Sequence, residues 1–429
     1  MSHHDVVVVG AGLAGLSAAV RLAESGARVL VLAKGVGATH LAGATIDVLG
    51  YAPDRVERPL DALGGLPAGH PYHHVGADGI RAAVAWFKDR IANGSLPGYA
   101  YTGEPDENLL LPSAVGVPRP SAVVPETMAG GDLRDGGPVL VAGFRTMKDF
   151  HPALAADTLR RAGVEARSVE LELTPEGRAD VNALAMARGL DDAAFRGTLI
   201  AQLNGRRLRS GERVALPAVL GIADPHRVWT ELERALGRPV FEIPTLPPSV
   251  PGMRVFAILR EALRRAGGTI VLNNIVVGAE REGDKVSAVR VKVGLREERR
   301  GADWVVLATG GFASGGVELA SDWTAREVAL GLPVTGVPEA GEPRFGPEYF
   351  GAHALARAGV AVDGELRPVD GAGERLLGNV LVAGATLAGA EPWKEKSGDG
   401  ISLATGHRAA ELVLAAGTAT AAPAAATGG

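Results

Sequence analysis

Hydrophobic and polar positions change rhythm along this chain, and the changes mark its elements. Residues 6–9 are four valines, an apolar run of strand length; a glycine-rich turn, the helical stretch "LAGLSAAVRLAESG" and the run "ARVLVLA" follow. The pattern predicts strand, turn, helix and strand over residues 5–34. "GPVLVAGF", "HPALAADTLRRAG" and "ARSVELEL" predict a second strand–helix–strand over residues 137–173. "RVALPAVLGI", "PHRVWTELERALG" and "PVFEIP" predict a third over residues 213–243. Together these make the middle of the chain an α/β unit of its own, residues 120–245. The proline-rich "PTLPPSVPG" that follows reads as a hinge, and residues 254–266 as a helix leading into a strand. "IVVGAEREGDKVSAVRVKVG" alternates like an antiparallel hairpin turning at Glu282-Gly283-Asp284. "ADWVVLATGGFASGG" is a buried strand ending in Ala308-Thr309-Gly310-Gly311. In residues 379–413 a strand ends at Gly384, and Gly398-Asp399-Gly400 opens a last helix with Asp399 placed as its N-cap.

Composition narrows the chemistry. The 429 residues are 46% hydrophobic, enough for two or three domains with a large core. A net charge of -5 argues against nucleic acid as the main partner. There are no cysteines, so this chain supplies no disulfide, no thiolate nucleophile and no thiolate ligand to zinc or an iron–sulfur cluster. Any redox cofactor of its own is then organic. A first strand beginning near Asp5 and the lack of a run of about 18 apolar residues lead us to expect a cytoplasmic chain. The small-residue tail, residues 416–429, is expected to be disordered.

The first turn carries the most chemistry. Gly10-x-Gly12-x-x-Gly15 follows a strand and opens a helix, the context in which this spacing binds a dinucleotide. Gly10 permits the turn, Gly12 admits a pyrophosphate to the backbone, and Gly15 lets helix pack on strand; Ala11, Leu13 and Ala14 complete the binding turn. The second strand ends on Lys34, where such a site normally places an acidic residue that accepts from ribose hydroxyls. An ammonium has no acceptor and suits a phosphate better. The site therefore reads as an FMN site, or as a weak FAD site with the adenosine loosely held, unless Lys34 points to solvent and a backbone group serves the ribose. "GATHLAGATIDVLG", residues 37–50, is small-residued enough to lie against a planar ring, which makes Gly43, Ala44 and Thr45 cofactor-facing candidates or else a plain connecting loop. "GHPYHHVG" is a surface loop by default, with a substrate-facing loop as the alternative, and no metal site is expected from it. Candidate general bases are His73, His74, His353 and His407, and candidate cations are Arg145, Arg254, Arg367 and Lys394; nothing in the sequence ranks them. Of these, Arg254 beside the hinge and His353 are carried forward as catalytic candidates.

Three separated signals, the Gly10/Gly12/Gly15 turn, "VVLATGG" and "VLVAGA…SGDG", resemble the fumarate-reductase-like class of flavoproteins. The resemblance implies an α/β fold with a discontinuous Rossmann-like flavin-binding domain, residues 1–60 and 245–415, and an inserted α/β cap domain, residues 61–244. It adds Thr309, Gly310 and Gly384 to the cofactor site, with Gly398, Asp399, Gly400 and Ile401 offering a helix N-terminus to the flavin. "GHPYHHVG", "PTLPPSVPGMR", "AGATIDVLG" and the lysine closing strand two are more closely similar to the B subunits of anaerobic glycerol-3-phosphate dehydrogenase. Some members of that family have a cysteine where this chain has the Ser397 stretch. That family implies FMN and a complex oxidising glycerol 3-phosphate to dihydroxyacetone phosphate. Its implied partners are a catalytic sister flavoprotein and a cysteine-rich iron–sulfur subunit leading to quinone, which would dock this chain peripherally on the inner face of the membrane. The rival readings are a stand-alone fumarate-reductase-like oxidoreductase and a non-catalytic flavin-binding scaffold.

Overall fold

In the computed structural model, residues 3–175, 180–348, 351 and 353–417 are described. The valine run lies at the centre of a seven-stranded sheet. Its strand, β1 (His3–Val9), runs parallel to β2 (Val29–Ala33) on one side and to Arg296–Leu307 on the other. Val6, Val7 and Val8 are wholly buried, which is why β1 reads as an unbroken apolar run rather than an alternating one. Helix α1 (Leu13–Glu24) joins β1 to β2. Thr269–Leu272 extends the sheet beyond β2, with Leu272 opposite Ala33. On the far side Lys285–Val293 pairs antiparallel with Arg296–Leu307 and with Ile275–Glu282; Gly283, at φ 64°, makes the expected turn. Val380–Val382 runs parallel beside Val305–Leu307.

The last helix, Gly398–Ala415, packs on α1. The two approach closely because Gly406 has no side chain: a Cβ there would stand 2.3 Å from the Ala14 carbonyl oxygen. This helix begins at Gly398 with Ser397 as N-cap, so Asp399 sits inside the first turn and not at the cap. It still favours the helix there, as a negative charge near the dipole's positive end.

The chain divides into two compact units, residues 1–38, 63–87 and 259–429, and residues 39–62 and 88–258. The sequence boundaries at 60/61 and 244/245 fall elsewhere. Residues 39–62 sit in the second unit, and the return to the first falls within the helix Val250–Arg265 rather than at the prolines before it. The second unit holds a four-stranded parallel sheet in the order Val240–Ile243, Arg213–Pro217, Val139–Phe144, Ala166–Leu171. Helices Pro152–Arg161 and Pro225–Leu236 make the crossovers read in the sequence. Among the described residues no helix is long and apolar enough to cross a membrane. From residue 418 on, the tail lies outside the described residues.

Candidate functional site

Three glycines of the first turn are there for two different reasons. At Gly10, φ is +117° and a Cβ would stand 2.1 Å from the Ala308 carbonyl oxygen; at Gly15 a Cβ would stand 2.0 Å from the Gly10 oxygen. Both are demanded by the fold. At Gly12 a Cβ would meet no protein atom within 4 Å, so packing does not explain the glycine. The open space lies at the start of α1, which has no side-chain cap and no acidic residue in its first turn. The first-turn N–H groups of Leu13, Ala14 and Gly15 lack intrahelical acceptors, and the positive end of the dipole faces the same way. Gly37 seats against this turn, where a Cβ would stand 2.6 Å from the Gly12 Cα. This is a cradle for an anionic group.

At the end of β2 Lys34 is exposed. Beside it stands a residue that the sequence pattern does not single out. Asn274 follows the neighbouring strand Thr269–Leu272, and its N–H donates to the Ala33 carbonyl at 3.2 Å. The residue is 8% exposed, and Oδ1 is buried without a hydrogen-bond partner. A buried acceptor left open costs stability unless a ligand fills it. Nothing local marks Asn274, because its meaning depends on the pairing of its strand with β2.

Thr309, Gly310 and Gly384 do gather near the first turn. The Gly310 N–H donates to Thr386 Oγ1 at 2.8 Å, and Thr309 Oγ1 donates to Glu327 Oε1 at 3.2 Å. Glu327 is wholly buried and accepts from the Ala329 and Leu330 N–H groups, each at 2.7 Å. Burial pushes its carboxyl above the ordinary value despite those bonds. Gly384 is at φ 70°, its N–H on Thr405 Oγ1 at 2.8 Å, and a Cβ there would stand 2.8 Å from the Ala14 Cβ.

The start of the last helix is held from behind by buried polar groups. Ser397 Oγ donates to Glu395 Oε2 at 2.9 Å instead of capping the helix. The same oxygen is 3.1 Å from His70 Nε2, and Glu395 Oε1 accepts the Glu391 N–H at 2.9 Å. His70 Nδ1 accepts the Tyr72 N–H at 3.2 Å, which leaves Nε2 as the protonated nitrogen that donates to Glu395. His70 and Tyr72 are thus buried, contrary to the surface loop expected from "GHPYHHVG", although His73 beside them is exposed. The Ile401 N–H is already given to the Ser397 carbonyl at 2.9 Å. Ile401 is therefore not a free donor, and the first-turn donors are those of residues 398–400.

Gly43, Ala44 and Thr45 fall in the second unit. Thr45 is buried, and Ala44 is held at φ 62° with its carbonyl accepting from Tyr101 Oη at 2.6 Å. Arg254, expected as an open anion binder, is wholly buried. It donates to Glu242 Oε2 at 2.7 Å and to Oε1 at 3.0 Å, and its Nε and Nη2 both reach the Gly221 carbonyl. Its charge is consumed inside the unit. His353 accepts the Gly346 N–H on Nδ1 at 3.0 Å and stacks on Trp393, which also lies under Lys394. Lys394 is 3.2 Å from Glu391, Arg145 pairs with Glu172, and Arg367 reaches Glu365 and the Gly378 carbonyl. His407 packs on the Trp86 ring, and burial lowers its pKa, as it lowers that of His74. Among the described residues no group of three or more His, Cys, Asp or Glu could hold a metal ion.

A family model described as FAD binding domain matches residues 5–401. A Halobacterium salinarum protein, named as the B subunit of a probable anaerobic glycerol-3-phosphate dehydrogenase, is 35% identical over 420 residues, 94% of this chain and 96% of that protein. A Pectobacterium carotovorum protein, named as the B subunit of anaerobic glycerol-3-phosphate dehydrogenase, is 32% identical over 431 residues, 96% of this chain and 99% of that protein. The crystal structure of 3-ketosteroid delta1-dehydrogenase from Sterolibacterium denitrificans aligns with 97% of this chain and 100% of its own at 12% identity, with a TM-score of 0.44.

Proposed function

The chain belongs to the FAD-binding-domain family and, within it, to the B subunits of anaerobic glycerol-3-phosphate dehydrogenase, and from that premise we propose that it is an FAD-holding subunit of a complex oxidising sn-glycerol 3-phosphate to dihydroxyacetone phosphate. The observation that carries this reading is the open cradle at Gly12, facing the uncapped start of α1 in the turn where such folds seat a pyrophosphate.

We read the flavin as FAD, not the FMN suggested by Lys34. FMN ends at one phosphate and has no adenosine. The unfilled Oδ1 of Asn274 lies at the end of β2, where dinucleotide folds place the adenosine ribose. A neutral acceptor there does for ribose hydroxyls what an acidic residue does elsewhere, and Lys34 is left to solvent. The matched family is likewise one of FAD-binding domains.

A bound flavin supplies a two-electron acceptor. The chain's own part is to hold the pyrophosphate at Gly12, the ribose at Asn274 and the far end near Thr309–Gly310 and the donors of residues 398–400. Those donors stabilise negative charge. With no cysteine in the chain, electrons bound for a quinone need clusters held by a partner, and that partner would also supply any membrane contact.

The test is to purify the chain, record its flavin absorbance and identify the released cofactor by mass. FAD near one per chain is expected. A colourless, folded protein would remove the reading. In the assembled complex, glycerol 3-phosphate should bleach the flavin, whereas succinate or a steroid should not.

A further inference from the structure

Arg119, half-buried, differs from the buried arginines Arg254 and Arg213 of the second unit. Arg254 has all its guanidinium nitrogens on Glu242 and the Gly221 carbonyl. Arg213 keeps both terminal nitrogens on the carbonyls of Gly130, Asp132 and Gly136. Arg119, on the strand Pro118–Ser121, has a side chain only 17% exposed, yet its Nε and Nη2 are buried with no hydrogen-bond partner. Its ionic neighbour, Asp47 Oδ2, is 3.8 Å from the third nitrogen, Nη1, beyond hydrogen-bond reach.

The two unfilled nitrogens form one edge of the guanidinium. Their N–H groups point the same way and match two oxygens of a carboxylate or phosphate. In the same unit Arg167 shows that edge in use: its Nε and Nη2 meet Glu212 Oε1 and Oε2, each at 2.7 Å. A guanidinium keeps its charge at any ordinary pH, so an empty edge cannot be relieved by losing a proton.

The surroundings supply more donors. A Cβ on Gly43 would stand 3.6 Å from Arg119 Nη2 and 3.4 Å from the Pro244 Cβ, which places the small-residue loop and the proline segment beside this edge. Thr245, next in the chain, has a buried Oγ1 without a partner. On the same loop as Gly43, Thr39 Oγ1 and His40 Nε2 are also buried without partners, and burial lowers the His40 pKa. Of these, the Thr245 hydroxyl follows directly on the proline that lies beside the guanidinium edge.

We infer that this shelf binds the phosphate of a phosphate monoester, with Arg119 Nε and Nη2 gripping two of its oxygens and Thr245 Oγ1 beside them. Glycerol 3-phosphate as the monoester rests on the function proposed above; the anion-binding edge does not. The shelf also places on this chain a substrate contact that the sequence left to a sister subunit.

Calorimetric titration of the flavin-loaded full chain tests this, with glycerol 3-phosphate, inorganic phosphate and glycerol as separate probes. Wild type is expected to bind glycerol 3-phosphate, phosphate more weakly, and glycerol not measurably. Arg119→Ala should weaken both anions by about 100-fold, and Arg119→Lys, which keeps the charge but loses the fork, by about tenfold. Flavin content should not move, and melting curves identify the variants that fold. If Arg119→Ala does not fold, Gly43→Ala decides. Its methyl would make an ordinary contact with the guanidinium while narrowing the approach, and about a tenfold loss is expected. Unchanged affinity in the folded Arg119 variants, or in Gly43→Ala, would overturn the site. So would a wild type that binds neither anion. Binding of phosphate but not of glycerol 3-phosphate would overturn the monoester assignment. The proposed function is decided separately, by bleaching of the flavin in the assembled complex.

Discussion

A side chain at position 12 would enter space that no protein atom occupies within 4 Å, whereas one at position 10 or 15 would strike a backbone oxygen. Gly12→Val should therefore fold and lose flavin, while Gly10→Val should lose stability first. Flavin absorbance per chain, read beside the melting temperature, separates the two. A Gly12→Val protein that keeps its full flavin would end the assignment of the cradle. Asn274 makes the opposite kind of prediction. Its Oδ1 is a buried acceptor with nothing to accept, so Asn274→Leu should leave the empty protein as stable or slightly more so. FAD affinity should fall by roughly tenfold, the worth of about 1–1.5 kcal/mol for one lost hydrogen bond, while FMN affinity should not change. Fluorescence titration with each flavin reads this directly, and equal losses for both would show that Asn274 does not meet the adenosine half. The glycines were legible because their spacing alone encodes a turn. Asn274 was not, because the residues it faces are brought beside it only by strand pairing.

Among the elements, the start of the last helix is the one most dependent on a distant segment. Glu395 is pushed up by burial but held net below its ordinary value of 4.5 by hydrogen bonds from His70, the Glu391 N–H and Ser397. A carboxyl lowered on folding stabilises the protein above its unfolded value, and the contribution is lost as pH falls through the folded value. The melting temperature should thus decline below about pH 4.5. With the strongest of the lowering contacts gone, burial dominates and protonation relieves the buried carboxylate, so His70→Ala should shrink or reverse the acid decline. It should also cost about 3 kcal/mol near neutrality, because a buried carboxylate loses its partner. Melting curves from about pH 7 to about pH 3 check both parts. An unchanged acid decline in the variant would mean that Glu395 is held by its other donors alone. The strand–helix–strand repeats of the second unit were readable because periodicity is local. "GHPYHHVG" was misread because its histidines look solvated, and the carboxylate that buries His70 lies 325 residues away.

At the scale of the molecule, the chain combines a flavoprotein fold with a complete lack of cysteine. Clusters that carry electrons over distance are held chiefly by thiolates, so this chain cannot by itself build that relay. Supplied with glycerol 3-phosphate and a membrane quinone, the purified chain should give no quinone reduction, and activity should appear only when the proposed sister flavoprotein and iron–sulfur subunits are added. Rapid quinone reduction by the chain alone would refute this. The alternation of strands and helices made the fold class legible. The division into units was less so, because residues 39–62 and 63–87 join different units, and hydrophobic pattern does not say which core a segment feeds.

Ala44 occupies a left-handed backbone conformation that alanine rarely adopts, and the Tyr101 hydroxyl clamps its carbonyl at 2.6 Å. The loop carrying Gly43 is therefore in its final shape before anything reaches it. In rapid mixing, anion association with the flavin-loaded protein should be a single phase whose rate rises linearly with ligand concentration. Tyr101→Phe removes the clamp and lets the loop relax, and the rate should then level off at high concentration as loop reordering becomes limiting. A levelling rate already present in the wild type would mean that the loop waits for its ligand.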